Sequence, residues 1–320
     1  MTDVDLSTSL VGITLPNPVM TASGCAGTGK ELDAFFDVAE VGAIVSGSIT
    51  LDSRAGWPTP RMVETPSGML NAIGLQGPGI DGFLATELPW LVQRKARAIV
   101  SIAGSSLGEY AELARRVGNS PGVTAVEVNI SCPNVEDRGL VFGCDPYQAS
   151  KVINVVRRDV PRGIPVLAKL TPDVTSIVDV AEAVVNAGAD GLVMMNTTLG
   201  MAIDPVTLRP TLGGTTGGLS GPAIHPVAVR CVWEVHAAMP EVPIVGVGGV
   251  RTGFDALELL LAGAVAVQVG TVIFHDPSAP VRVVGELRDE LAQRNIASVA
   301  DVIGLAHRQQ GELCPQGDLL

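Results

Sequence analysis

The chain has 320 residues, with 21 Lys and Arg against 33 Asp and Glu, a formal charge of −12. That balance argues against a nucleic-acid binder, which needs a basic face to neutralise phosphates. A hydrophobic share of 47% with only 17% charged residues excludes a disordered chain and supplies a large core, at a length that suits two domains or one α/β barrel.

No apolar run approaches about 18 residues, and the opening MTDVDLSTSL lacks a basic segment before an apolar one. The expectation is a protein without membrane span or signal peptide. Cys25, Cys132, Cys144, Cys231 and Cys314 are odd in number and show no CxxC spacing. Neither a disulfide framework nor a metal site is expected, and a cytoplasmic location fits.

Short aliphatic or β-branched runs recur along the chain, each read as a strand. In order they are Val19–Ser23, Ala43–Ser46, Ala98–Ile102, Ala125–Asn129, Pro165–Lys169, Gly191–Asn196, Pro243–Val247 and Ala264–Val269. Helical spacing of apolar residues predicts helices over Lys30–Val38, Leu107–Val117, Pro146–Arg158, Ile177–Ala187, Pro226–Ala238 and Phe254–Leu261. Buried strands alternating with amphipathic helices give a parallel sheet, and eight such units favour closure into a (β/α)8 TIM barrel. The Gly- and Pro-rich stretch Leu51–Trp90 is expected to fold over the C-terminal face as a covering loop or hairpin insertion. Residues 1–310 read as one barrel domain, and 311–320 as a flexible tail.

In a barrel of this kind the working groups lie at the C-terminal strand ends. Those ends carry Ser23-Gly24, Ser46 to Ser48, Asn129, Lys169 and Asn196-Thr197, with Asn71 in the covering stretch. Asparagine reads carbonyl and N–H edges without adding charge, so this set suits a flat ligand rich in both. Glycines follow the last two strands, at Gly248-Gly249 and Gly270-Thr271. That position often binds a phosphate through backbone N–H groups and a helix N-terminus. Gly also ends any strand that turns sharply, so neither pair alone is decisive.

Lys169 ends an otherwise apolar strand and must have a partner if buried. One reading is a salt bridge to a barrel acid such as Glu127; the other is a fixed cation beside the ring of a flavin. Cys132 sits in NISCPN (129–134), just beyond a strand end, and a thiol is a workable general base above neutral pH. None of the four histidines accompanies it on a strand end, which disfavours a Cys-His acyl-transfer dyad. The other four cysteines read as packing.

ASG (22–24), TPSGMLNAIGLQGPG (65–79), NISCPN (129–134), AKLTP (168–172), MNTT (195–198), GGLSGPA (217–223), GVGGV (246–250) and QVGT (268–271) occur in this order over nearly the whole chain. Together they resemble class 1 dihydroorotate dehydrogenases, and the TPSGMLNAIGLQ block, PWL (89–91) and the GCDP beginning at Gly143 resemble the 1B branch. The resemblance implies an FMN-containing barrel that oxidises dihydroorotate to orotate in pyrimidine biosynthesis. Cys132 would be the catalytic base at substrate C5, while C6 delivers hydride to flavin N5. The pyrimidine would be held by Asn71, Asn129, Asn134, Asn196 and Thr197, and by the backbone around Ile73, Gly74 and Leu75. Flavin contacts would come from Ala22, Ser23, Gly24, Ser48, Asn129 and Lys169, and from Gly221, Gly248, Gly249, Gly270 and Thr271.

The chain departs from the family at two places. A lysine usual soon after the second strand is replaced by Gly47, and an Asn usual after the third by Ser101; Arg54 or Arg61 would have to supply the missing cation. SGSIT (46–50) is closer to the membrane-associated class 2 enzymes, which use serine as base, but Cys132 keeps the chain in class 1. Members of the 1B branch work as heterotetramers, a catalytic dimer plus a subunit carrying FAD and a 2Fe-2S cluster that passes electrons to NAD. This chain has neither cluster-like cysteine spacing nor a GxGxxG between strand and helix, so a partner would supply both. The alternatives are a homodimer using a fumarate-type acceptor, a related flavin barrel acting on another dihydropyrimidine, and a non-enzymatic flavin relay.

Overall fold

The computed structural model describes residues 4–131 and 141–308. Eight parallel strands form its centre: β1 (Val19–Thr21), β2 (Ile44–Val45), β3 (Ala98–Ile102), β4 (Val123–Asn129), β5 (Val166–Leu170), β6 (Gly191–Met194), β7 (Ile244–Val247) and β8 (Ala266–Val269). Their order is β1-β8-β7-β6-β5-β4-β3-β2. The ring closes between the outer two, where Met20 bridges Ala43 and Thr21 N donates to Ala43 O at 3.2 Å. This is the expected (β/α)8 barrel.

The surrounding helices include α1 (Leu88–Gln93), α2 (Leu107–Gly118), α3 (Pro146–Asp159), α4 (Ile177–Asn186), α5 (His225–Ala238), α6 (Gly253–Leu261) and α7 (Ala279–Gln293). Their starts are written locally. Ser106, Asp145 and Ser176 accept from the backbone N–H three residues on, and Thr252 with Asp255 forms a reciprocal capping box. Along α2, Tyr110, Leu113, Ala114 and Val117 repeat at helical spacing and are buried against the sheet.

Side chains alternate across each strand, so two cores form. Val126, Val128, Ala168 and Leu170 face the helices. Met20, Val45, Ile99, Ala125, Leu167, Val193, Val245 and Ala266 fill the barrel interior. An antiparallel pair, Thr8–Leu10 with Ile13–Leu15, floors that interior by inserting Leu10 and Leu15, both fully buried. Leu15→Ala is expected to cost about 2–5 kcal/mol in chemical denaturation, because a closed floor collapses little around the cavity. A loss below about 1 kcal/mol would show that the floor closes the barrel without supporting it.

Three sequence expectations change. Lys30–Val38 holds only a short 3-10 turn, Leu32–Ala34, because Gly27 and Gly29 take positive φ and Lys30 is drawn to Glu87 at 3.0 Å. Leu51–Trp90 holds helix as well as the expected hairpin. It contains an antiparallel pair, Met62–Thr65 with Gly68–Asn71, then continuous helical turns from Gly79 to Gln93. This pair joins Gly217–Ser220 and Thr198–Gly200 in a four-stranded antiparallel sheet built from segments outside the barrel strands. Finally, α7 went unpredicted, although Val283, Val284, Leu287 and Leu291 supply its buried stripe.

The tail expected at 311–320 lies outside the described residues, as do Cys132, Asn134 and Cys314. Among the described residues, no helix is long and apolar enough to cross a membrane.

Candidate active site

Climbing the barrel interior, apolar layers give way to polar ones. Ser101, Glu127, Lys169 and Gln268 follow Ile99, Ala125, Leu167 and Ala266 by two residues on their strands, so they point the same way one step higher. Lys169 Nζ lies 3.5 Å from Glu127 Oε1 and 3.4 Å from Gln268 Oε1, while Gln268 Nε2 donates to Glu127 Oε2 at 2.9 Å. Glu127 is 0% exposed and Lys169 5%, so the pair is shut away from water. The salt-bridge reading of Lys169 is therefore correct in geometry. It leaves the flavin reading open, since these contacts are long for charge-assisted bonds.

Asn129 is one step above Glu127 on β4 and opposite Lys169 in the ladder. Its Nδ2 donates to Ser48 Oγ at 3.0 Å; its Oδ1 accepts from Asn196 Nδ2 at 3.1 Å and from Ser131 N at 3.1 Å. The Ser48 and Ser101 hydroxyls are 3.0 Å apart, and Ser23 lies 3.4 Å from Ser48. Asn196 Oδ1 accepts from Thr197 N at 2.9 Å, and the Tyr110 hydroxyl reaches from α2 to Asn129 O at 2.6 Å. The ends of β1, β2, β3, β4 and β6, with Tyr110 from α2, thus converge on one uncharged network.

Glycines form the other side of the barrel mouth. Gly221, Gly248 and Gly249 have φ of 90°, 137° and 72°, which L side chains rarely adopt. A Cβ on Gly249 would come within 2.6 Å of His225 Cβ and 3.0 Å of Gly221 O; one on Gly248 would come within 2.8 Å of Ala228 Cβ. Among the described residues, the amides of Gly248, Gly249, Gly270 and Thr271 have no acceptor. Bare backbone donors beside the start of α5 match what a phosphate group requires, so these residues fit a phosphate-bearing cofactor. Thr271 Oγ1 donates to Ser220 Oγ at 2.8 Å, tying this rim to the covering sheet.

Asn71 lies in the covering sheet opposite Gly218, donating to Gly218 O at 3.2 Å, and a Cβ on Gly218 would meet Thr197 Oγ1 at 2.1 Å. Asn71 and Thr197 are thus brought to one place. Ile73, Gly74 and Leu75 are held differently: Trp57 N donates to Ile73 O at 2.9 Å and the Trp57 ring packs on Gly74. Among the described residues, no hydrogen bond joins this stretch to Asn129 or Asn196. Ala22 and Gly24 sit at the end of β1, Ala22 buried and Gly24 with open space around its Cβ position.

Gly47 likewise has no heavy atom within 4 Å of where a Cβ would be. Arg61 does not fill that gap. Its guanidinium is exposed and bound to Gln76 Oε1 at 2.6 Å and to the Ala55 and Trp57 carbonyls. Of the cysteines read as packing, Cys231 is buried and Cys25 half-buried, whereas Cys144 is exposed because Phe142 takes the inward position of that turn. Burial pushes the Cys25 thiol up to about 11, against a smaller downward pull from Lys169, so it stays protonated at neutral pH.

Sequence reasoning overlooked Gln268, Tyr110 and His225. Gln268 had a signal, as the sole polar residue in AVAVQV; Tyr110 and His225 lie on helices and act through contacts that no local pattern marks.

The family model described as dihydroorotate dehydrogenase matches residues 5–291. The chain is 52% identical over 304 residues to the protein of Geotalea daltonii named dihydroorotate dehydrogenase B (NAD(+)), catalytic subunit, covering 95% of this chain and 99% of that one. Proteins of the same name from Geobacter sulfurreducens (51% identical, 94% and 97% covered) and Desulforudis audaxviator (46%, 96% and 99%) are similar along their whole length. With the barrel, the asparagine network and the glycine rim all lying within the matched span, the chain belongs to the dihydroorotate dehydrogenase family.

Proposed function

We propose that this chain is the catalytic subunit of an FMN-dependent dihydroorotate dehydrogenase, acting in pyrimidine biosynthesis. The observation that carries the reading is the pairing of an uncharged Asn129–Asn196–Ser48 network with unsatisfied glycine amides across one barrel mouth.

In this reading, Gly221, Gly248, Gly249, Gly270 and Thr271 hold the FMN phosphate. Ala22, Ser23, Gly24, Ser48, Asn129 and Lys169 line the ring system. When bound, the flavin supplies a two-electron acceptor for hydride from C6 of the substrate. Asn71, Asn129, Asn134, Asn196 and Thr197 orient the pyrimidine by directional hydrogen bonds, together with the Ile73-Gly74-Leu75 backbone. Cys132 takes the proton from C5. Because proton and hydride leave neighbouring carbons, base and acceptor work best on opposite faces of the substrate ring. Lys169 holds positive charge near the ring, and the Glu127–Gln268 pair fixes its ammonium.

The relatives' name includes NAD(+) and "catalytic subunit". For this chain that supports a homodimer within a heterotetramer, whose second subunit carries FAD and a 2Fe-2S cluster and passes electrons to NAD. A cytoplasmic location goes with this reading, as does a single barrel domain over residues 1–310.

The test is the visible spectrum of the purified chain before and after anaerobic addition of L-dihydroorotate. The expected result is a bound flavin that bleaches within one turnover, after which NAD, fumarate and quinones are compared as oxidants. A colourless chain that takes up no FMN would overturn the cofactor, and a flavin that stays oxidised would overturn the substrate.

A second reading, oxidation of another dihydropyrimidine, is favoured by Gly47, where among the described residues no heavy atom lies within 4 Å of the place a Cβ would take. Faster bleaching by dihydrouracil than by dihydroorotate would establish it in place of the first.

A further inference from the structure

His225 opens α5 directly after the Gly221–Ile224 turn, and its side chain is 11% exposed. Nδ1 lies 2.7 Å from Gly248 O, and Nε2 lies 3.0 Å from Glu258 Oε2 on α6. A carbonyl and a carboxylate offer lone pairs and no proton. The ring thus bridges the glycine rim at one nitrogen to α6 at the other.

The same ring fixes the rim's shape. It holds the Gly248 carbonyl, and its Cβ leaves no room for a side chain on Gly249. The Gly249 N–H, without an acceptor among the described residues, belongs to the same peptide as the Gly248 carbonyl that this bond immobilises.

We propose that His225 is a positioning residue for the cofactor's phosphate, with Glu258 fixing its ring. The inference rests on the flavin reading above. His225 sets the direction of the Gly249 amide beside the α5 terminus, where a dianionic phosphate binds.

The test compares two flavins that differ only in the phosphate. Full-length chain stripped of flavin is titrated with FMN and with riboflavin, following flavin fluorescence, for the parent, His225→Ala, His225→Gln and Glu258→Gln. The expected result is an FMN affinity lower by on the order of 10–100-fold in both His225 variants, the scale of a lost charge-assisted contact, with riboflavin affinity unchanged. Glu258→Gln is expected to lose part of the same preference. His225→Gln keeps one donor and similar bulk, so it serves where His225→Ala does not fold. Equal weakening of both flavins, or no change in either, would overturn the phosphate role. An undiminished FMN preference in Glu258→Gln would overturn the role given to Glu258. A parent chain that binds neither flavin would instead overturn the cofactor reading itself, a result distinct from the other two.

Discussion

Replacing Cys132 by alanine is expected to leave flavin bound and to slow its reduction by dihydroorotate by about two to four orders of magnitude, the range a positioned general base contributes. Cys25 cannot take over, because its thiol is held up at about 11 by burial and remains protonated. Burial likewise raises the thiol of Cys231, and partial desolvation of the sulfur with Asp173 nearby raises that of Cys144. The working form of the base is the thiolate, so the parent rate should rise with pH toward a thiol range of about 8.5. In Cys132→Ser the hydroxyl ionises far less readily, and residual activity should move to higher pH. Stopped-flow reduction of the bound flavin across pH reads both effects. Reduction of Cys132→Ala at the parent rate would place the base elsewhere.

The second large effect concerns the buried pair. Lys169→Ala leaves Glu127 fully enclosed, with only Gln268 of its two partners remaining. Removing one member of a buried ion pair typically costs about 3–5 kcal/mol, which for a chain of this size is roughly 4–8 °C in melting temperature. Flavin reduction should fail as well, but instability alone could produce that failure. The variant carrying both Lys169→Met and Glu127→Gln separates the causes. It removes both charges, so melting should recover most of the loss. If Lys169 acts on the cofactor, reduction stays impaired in the recovered fold. Normal reduction in that double variant would reduce Lys169 to an internal counterion for Glu127.

The barrel was legible because each strand run is short, aliphatic and followed by a polar stop, as in AVEVN and PVLAK. Asn129 and Lys169 could be picked out at those stops, and the structure pairs them across one ladder. What the sequence hid were contacts between distant elements. Lys30–Val38 has apolar residues at helical spacing, yet Phe35 is exposed, and Lys30 and Asp33 are tied to Glu87 and Arg94. Tertiary pairing there overrides a weak local preference. Gly79, Gly82 and Pro89 masked the helical turns from Gly79 to Gln93, since glycine and proline argue against helix in isolation. Gln268 was readable as a polar interruption of a strand, but its role depends on Glu127, 141 residues away.

The closing seam of the ring has a consequence for synthesis. β1 lies between β2 and β8 in the closed ring, and its ladder partner Val267–Val269 is made about 250 residues after it. At translation speeds of ~5–20 residues per second, that edge waits roughly 12–50 s for its neighbour. The last stitch is later still, for Asp5 N donates to Ala297 O at 2.9 Å and Val299 N returns to Asp5 O at 2.9 Å. A nascent chain halted before residue 266 therefore presents an open, apolar sheet edge to whatever surrounds the ribosome. Ribosome-stalled chains cut on either side of that point should differ sharply in how strongly they retain a chaperone.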